Sequence, residues 1–123
     1  LTEDNHHMIN KEAISKMKDG VMIVNTARGG LIDSEALISG IESGKIGGAG
    51  LDVVENEFGL YYYDHKEDIL CNRELSILRG FPNVTVSHHM AFYTDDCTET
   101  VVRDSLLGCK CFVEGRENPW EVK

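Results

Sequence analysis

Apolar positions along the chain fall into short unbroken runs separated by helical stripes. Ile14 and Met17 lie on one side of a segment that Asn10 can cap, that reaches about Lys18, and that Gly20 closes, so a short helix is expected there. Val21, Met22, Ile23 and Val24 follow as a continuous apolar run containing β-branched residues, the pattern of a strand buried on both faces. Leu37, Ile38 and Ile41 share one face of a second helix, opened by Asp33 or Ser34 and ended by Gly44. Residues 48–54 read as a second buried strand, whose Gly48, Ala49 and Gly50 imply close approach by another backbone or a ligand. From about Asn56 to Leu70 no period emerges, and a long loop is expected, with Tyr61, Tyr62 and Tyr63 serving in its packing. Residues 72–79 form a short helix with Leu75 and Leu78 inward and Gly80 as its stop, and 83–87 form a third strand. A long amphipathic helix then runs from Thr94 or Asp95 to Val113; its acidic first turn suits the macrodipole, and its stripe of Val101, Val102, Leu106, Cys109 and Phe112 is read as core.

Strands that alternate with helices, joined by connections long enough to cross over, pair in parallel and wind as right-handed β-α-β units. Three such strands make one half of a doubly wound sheet, and a dinucleotide-binding fold is built from two halves, the first carrying a glycine-rich pyrophosphate loop. None of the twelve glycines forms G-x-G-x-x-G. The nearest approach, Gly47-Gly48-Ala49-Gly50, enters a strand instead of leaving one for a helix. The expected fold is therefore α/β: a parallel sheet flanked by helices, the second half of such a domain without its phosphate-binding half.

A length of 123 residues with 41% apolar side chains suits one domain with an ordinary core. The excess of 21 acidic over 12 basic side chains, a net charge of -9, argues against nucleic-acid or anionic-membrane partners, which need clustered Lys and Arg. Cys71, Cys97, Cys109 and Cys111 form no C-x-x-C pair, and reduced thiols in the cytoplasm are expected. No apolar stretch approaches the ~18 residues of a membrane span, and the opening residues are not a signal peptide. The chain begins with Leu1 instead of Met, so a lost N-terminal portion is expected.

Polar residues gather where the three strands end: Asn25-Thr26-Ala27-Arg28 after the first, Asp52 with Glu55, Asn56 and Glu57 after the second, Ser87-His88-His89 after the third. In an open parallel sheet these ends border one crevice, the usual ligand site. A cation, a carboxylate and an imidazole meeting there match the needs of a 2-oxo or 2-hydroxy acid. The planar donor fork of Arg28 would orient the acid group. His89 would exchange a proton with the substrate oxygen, and Glu57, bonded to that imidazole, would fix its tautomer and favour its protonated form. Hydride chemistry would belong to a nicotinamide.

The runs Asn25 to Gly30, Gly50 to Glu57 and Asn83 to Thr94 closely resemble the NAD-dependent D-isomer-specific 2-hydroxyacid dehydrogenases, in the branch of D-lactate, D-2-hydroxyisocaproate and vancomycin-resistance D-lactate dehydrogenases. The resemblance covers essentially the whole chain but only the C-terminal portion of such an enzyme. It implies that residues 1–123 are the C-terminal part of a Rossmann-like NAD-binding domain, with the final helix at about 95–113 packing on a missing substrate domain. It implies Arg28 as ligand of the substrate carboxylate, Glu57 as partner of the histidine and His89 as acid/base. Asp52 would sit at the nicotinamide end, Thr26 and Ala27 would line the cofactor crevice together with Arg28 and His89, and Phe92 would face the substrate side chain. Family members usually carry proline before the catalytic histidine, where this chain has His88, and often threonine or isoleucine after it, where Met90 stands. NAD as cofactor, a small 2-oxo acid as substrate, a homodimer for the complete protein, a cytoplasmic location and no activity for the isolated segment complete the expectation.

Blander assignments stand beside these. Arg28 alone would be a surface charge, Glu57 a solvated loop acid, and Asp52 a group that bonds a neighbouring turn. The pairs His6-His7 and His88-His89 suggest a metal, but neighbours on a strand point to opposite faces, so no metal site is expected. A non-catalytic NAD-binding or interaction protein that keeps the dehydrogenase scaffold is the alternative function, and a functionless relic is a third.

Overall fold

The computed structural model describes residues 1–61, 64 and 72–121. Tyr62, Tyr63, Cys71 and most of the expected 56–70 loop lie outside the described residues. The chain divides into two compact units, Leu1–Met90 and Ala91–Lys123.

In the first unit the elements run α1 (Lys11–Lys16), β1 (Val21–Asn25), α2 (Ser34–Glu42), β2 (Ile46–Leu51), α3 (Arg73–Gly80) and β3 (Val84–Val86), with short 3-10 turns at Glu3–Asn5 and Gly29–Leu31. The helices begin where polar caps dictate. Asn10, Asp33 and Asn72 each accept the backbone N–H three residues on, from Ala13, Ala36 and Leu75 at 3.0, 3.1 and 2.8 Å, satisfying a donor that no helical carbonyl reaches. Asp33, not Ser34, is thus the cap of α2. Gly20 and Gly44 turn the chain into β1 and out of α2 with φ of 75° at each, a conformation that glycine adopts without steric cost.

The three strands form one parallel sheet in the order β1-β2-β3, with Asn25 beside Leu51 and Leu51 beside Val86 at the carboxyl edge. A bulge between Val21 and Met22 shifts the β1-β2 register. Helix α2 packs on β2, α3 packs on β3, and α2 also touches α1 and α3, so the crossover helices form one layer. Leu37, Ile38 and Ile41 of α2 close over Ile46, Ala49 and Leu51 of β2, with Leu75 and Leu78 completing the core. Each large aliphatic side chain buried there contributes roughly 1.5–3 kcal/mol.

The double burial expected of β1 is not observed. Met22 and Val24 are 66% and 74% exposed. Ile23 packs toward the helices, so β1 alternates, because the helices cover only one face of the sheet. Met22 lies against Gly48 and Val24 against Gly50 on the other face. Strand β2 comes closest to the expected pattern, with Ile46, Gly48, Ala49 and Leu51 all buried.

In the second unit α4 (Asp95–Val113) is capped by Thr94, whose hydroxyl accepts the Cys97 N–H at 3.3 Å. It ends in a Schellman turn: Arg116 N–H bonds Cys111 C=O at 2.9 Å and Gly115 N–H bonds Phe112 C=O at 3.2 Å, with Gly115 at φ 64°. The expectation that its apolar stripe is core is corrected, since α4 has no buried residue and Val101, Val102 and Leu106 stand exposed. Periodicity marks an apolar face; it does not supply the surface that would cover it.

Gly29 joins the loop after β1 to the segment after β2. A Cβ there would lie 2.1 Å from the Val54 carbonyl carbon and oxygen. Gly29→Ala is expected to destabilise the chain by about 3 kcal/mol or more in urea unfolding, whereas Gly80→Ala, in open space at the end of α3, should stabilise it by about 0.5–1 kcal/mol. Equal midpoints for the two variants would contradict this reading of the Gly29 contact.

Candidate active site

The loop after β1 is shaped by Asn25, buried at 6% exposure. Its Oδ1 accepts the Ala27 N–H at 3.1 Å and its Nδ2 donates to the Arg28 carbonyl at 2.9 Å, an Asx-type closure that turns the chain within four residues. Thr26, Ala27 and Arg28 are left exposed on the outside of that turn. The Arg28 Nη1 donates to the Ala27 carbonyl at 2.7 Å, and Arg28 borders an open cavity of about 300 Å³. Arg28, Gly29, Gly30, Val54, Glu57 and Phe58 are among its lining residues, with Phe58 99% exposed. The cavity sits at the carboxyl ends of β1 and β2, where an open parallel sheet takes its ligands.

Asp52 ends β2 and is 5% exposed. Its N–H donates to the Asn25 carbonyl at 2.9 Å, and its carbonyl accepts the His89 N–H at 2.8 Å. Its carboxylate Oδ1 accepts the Ser87 hydroxyl at 2.5 Å and the Met90 N–H at 2.8 Å. Three of these bonds fix the turn at 87–90 against the end of β2, and the fourth ties Asp52 to the end of β1.

That turn carries His89 at φ 54°, the left-handed region, which is uncommon for a residue with a side chain. The reward is a contact across the strand ends: His89 Nδ1 lies 2.9 Å from Glu57 Oε1, both side chains mostly buried. Glu57 is itself held, its Oε2 accepting the Val54 N–H at 3.1 Å after a turn through Asn56 at φ 55°. A carboxylate only accepts, so Nδ1 carries the proton and Nε2 is the ring nitrogen that can gain or lose one.

His88 faces other partners. Its Nε2 lies 2.8 Å from Arg79 Nη2, and since a guanidinium only donates, the histidine nitrogen accepts. The Tyr61 ring meets the same imidazole edge-to-face, centroids 5.7 Å apart. Burial raises the Tyr61 pKa, the Glu57 and Asp52 charges add to that, and Arg79 partly opposes it.

A second carboxylate–imidazole pair adjoins the first. The N-terminal segment runs beside 29–33, with His7 N–H to Gly30 C=O at 2.8 Å and Ile9 N–H to Leu31 C=O at 3.0 Å. This brings His7 Nε2 to 2.5 Å from Glu55 Oε1, while Glu55 Oε2 accepts the Ser34 N–H at 2.8 Å. Burial pushes the Glu55 pKa up, but hydrogen bonds from His7 and Ser34 outweigh it and hold the carboxyl below its ordinary value.

The sequence premise that His6 and His7 point to opposite faces is corrected. They lie in a turn, with His7 at φ 53°, and their rings stack at 3.8 Å and 25°. Ligand atoms of His6, His7 and Glu55 lie within 4.8 Å of one another. Glu55 is also engaged by the Ser34 N–H, so this cluster is tied into the fold through its carboxylate.

Of the residues singled out from sequence, Glu57 and His89 are in direct contact, Arg28 shares a cavity with Glu57, and Asp52 holds the turn that bears His89. Thr26 and Ala27 stand exposed just beyond the end of β1. Phe92 falls in the second unit, where it stands exposed. Sequence reasoning placed Asn25 and Ser87 in the strand-end clusters without giving them a role, and it missed the His7–Glu55 pair. Asn and Ser directly after strands are a recognisable turn signal; nothing local links His7 to Glu55.

Comparison with known proteins points one way. Residues 1–91 match the family model described as D-isomer specific 2-hydroxyacid dehydrogenase, NAD binding domain. An aromatic 2-oxoacid reductase of Clostridium sporogenes is 50% identical over 112 residues, covering 91% of this chain and 34% of that protein. A D-lactate dehydrogenase structure from Treponema pallidum superposes with a TM-score of 0.93 at 38% identity, covering 100% of this chain and 37% of that one. A D-lactate dehydrogenase from Aquifex aeolicus, solved with NAD and lactic acid, gives 0.82 at 38% identity, covering 94% of this chain and 35% of that one. The chain spans about a third of the length of the curated relatives it matches.

Because the folded Glu55 carboxyl ionises more readily than an unfolded one, its contribution to stability is present above the ordinary glutamate pKa of about 4.3 and is lost as pH falls through the lower folded value. Thermal melts of Glu55→Gln and the parent chain should therefore converge below about pH 4.3. A gap that stays constant down to pH 3 would refute the assignment.

Proposed function

The chain belongs to the D-isomer specific 2-hydroxyacid dehydrogenases, its residues 1–91 matching their NAD-binding domain, and from that premise we propose that the complete protein reduces small 2-oxo acids to D-2-hydroxy acids. The observation that carries the reading is the Glu57–His89 contact at the carboxyl edge of the sheet, with Arg28 on the same cavity as Glu57.

The residues present suit the nicotinamide end of NAD. The Asn25 turn leaves Thr26 and Ala27 exposed just beyond the carboxyl end of β1. Thr26, Ala27 and Asp52 would hold that end of the cofactor, which when bound supplies the hydride. Arg28 holds the substrate carboxylate through two parallel N–H donors, which sets the keto carbon at a fixed distance from the cavity wall. His89, with Nδ1–H bonded to Glu57, gives a proton from Nε2 to the keto oxygen, and takes it back in the reverse direction. Glu57 keeps the ring in that tautomer and offsets its positive charge. Phe92 is assigned to the substrate side chain.

The glycine-rich pyrophosphate loop is not among these 123 residues, so the chain alone should show no pyruvate-dependent NADH oxidation. Three free cysteines, Cys97, Cys109 and Cys111, support a cytoplasmic location. No helix among the described residues is long and apolar enough to cross a membrane. The homodimer and the docking of α4 on a substrate domain rest on family resemblance.

In the complete protein Arg28→Lys should lower kcat/KM for 2-oxo acids by roughly tenfold to a hundredfold, the worth of one charge-assisted hydrogen bond of about 1.5–3 kcal/mol. His89→Gln should lower kcat by about 10²–10⁴ with little change in NADH binding. Near-normal turnover in either variant would sink the proposal.

A further inference from the structure

His89 reaches Glu57 only because its backbone is held at φ 54°, a conformation that any peptide flip between residues 88 and 89 would relieve. The N–H of His89 is held by Asp52, and so are the residues on both sides of the 88–89 pair, Ser87 and Met90. Inside this frame a further handle on the peptide is the side chain of His88. Among the described residues it is gripped twice. Arg79, at the last turn of α3, donates to its Nε2 at 2.8 Å, and the Tyr61 ring stands edge-to-face against it at 5.7 Å and 78°. The two grips come from opposite ends of the sequence between β2 and β3, so they tie the 87–90 turn to α3 and to the chain that follows Glu57.

We propose that Arg79 and Tyr61 are positioning residues that act through His88 to keep the His89 imidazole on Glu57. Neither touches the reacting atoms. The proposal rests on the reading of His89 as the acid/base group only for its effect on turnover; the effect on ring placement stands without it.

The Tyr61 hydroxyl adds a distinguishing mark. Its oxygen is buried and has no hydrogen-bond partner among the described residues, so the ring, not the phenol oxygen, is what the contact uses. Removing the oxygen should leave the grip intact, and removing the ring should break it. Arg79 is exposed, so replacing it removes no core packing.

Two measurements separate the possibilities. Long-range proton–nitrogen correlation spectra of the imidazoles, taken on this chain, report whether His89 keeps a single Nδ1–H tautomer. Arg79→Met and Tyr61→Ala should mix the tautomers or broaden the His89 signals by exchange, while Arg79→Lys and Tyr61→Phe, which keep a donor and a ring, should preserve them. Melts of all four variants should stay cooperative, and Tyr61→Phe should melt no lower than the parent. In the complete protein, Arg79→Met should lower kcat about threefold to tenfold with KM for the 2-oxo acid unchanged, and Arg79→Lys should recover most of the loss. An unchanged His89 spectrum in Arg79→Met and Tyr61→Ala would overturn the positioning role. A disturbed spectrum with undiminished kcat would uphold it and instead refute His89 as the acid/base group.

Discussion

A parallel ladder aligns strand ends along one edge but says nothing about the paths the chain takes beyond it, and Asp52 supplies that missing instruction. Its N–H reaches the end of β1 through Asn25, its carbonyl receives His89 beyond β3, and its carboxylate receives Ser87 and Met90 from the same turn. At 5% exposure these bonds are made where water competes little, which makes each of them costly to leave unmade. Asp52 thereby joins the termini of all three strands, and the placement of His89 follows from it. The bland assignment of Asp52 as a group that bonds a neighbouring turn is what the geometry displays, and that bonding is also what orders the candidate site.

The segment after β2 supports two carboxylate–imidazole pairs from residues two apart, Glu55 with His7 and Glu57 with His89. Each acid has one oxygen on a histidine and the other on a backbone N–H, of Ser34 for Glu55 and Val54 for Glu57. The backbone bonds aim both carboxylates toward their histidines. One pair ties the N-terminal segment to the opening of α2; the other borders the cavity with Arg28. The same chemical unit thus serves as a fastener on one side of the loop and as the candidate proton-transfer unit on the other.

Helix caps and strand cores were legible in the sequence because their signals are local: Asn10, Asp33, Asn72 and Thr94 mark helix starts within the reach of one turn. Arg28, Glu57 and His89 were legible as a set because the topology brings strand ends to one edge. What covers a face was not legible. Four apolar residues in a row at β1 predicted burial on both sides, yet only Ile23 of the central pair meets the helices while Met22 lies open over Gly48. The stripe of α4 shows the same limit. The division of labour between His88 and His89 was out of reach too, since it depends on Arg79 and Tyr61 meeting one ring from afar and on a backbone angle that no residue type announces.

The order β1-β2-β3 makes β1 an edge strand five residues long. Its outer rim belongs to a run in which Met22 and Val24 are exposed and no charged side chain or proline interrupts Val21 to Asn25. Folded proteins commonly blunt such rims with lysine, proline or a covering element, because an open row of peptide groups is a template for another strand. Among the described residues its relief is the bulge at its start, between Val21 and Met22. An unpaired row of this kind is open to a further strand, and the net charge of -9 is the repulsion that opposes a second copy of the chain taking that place.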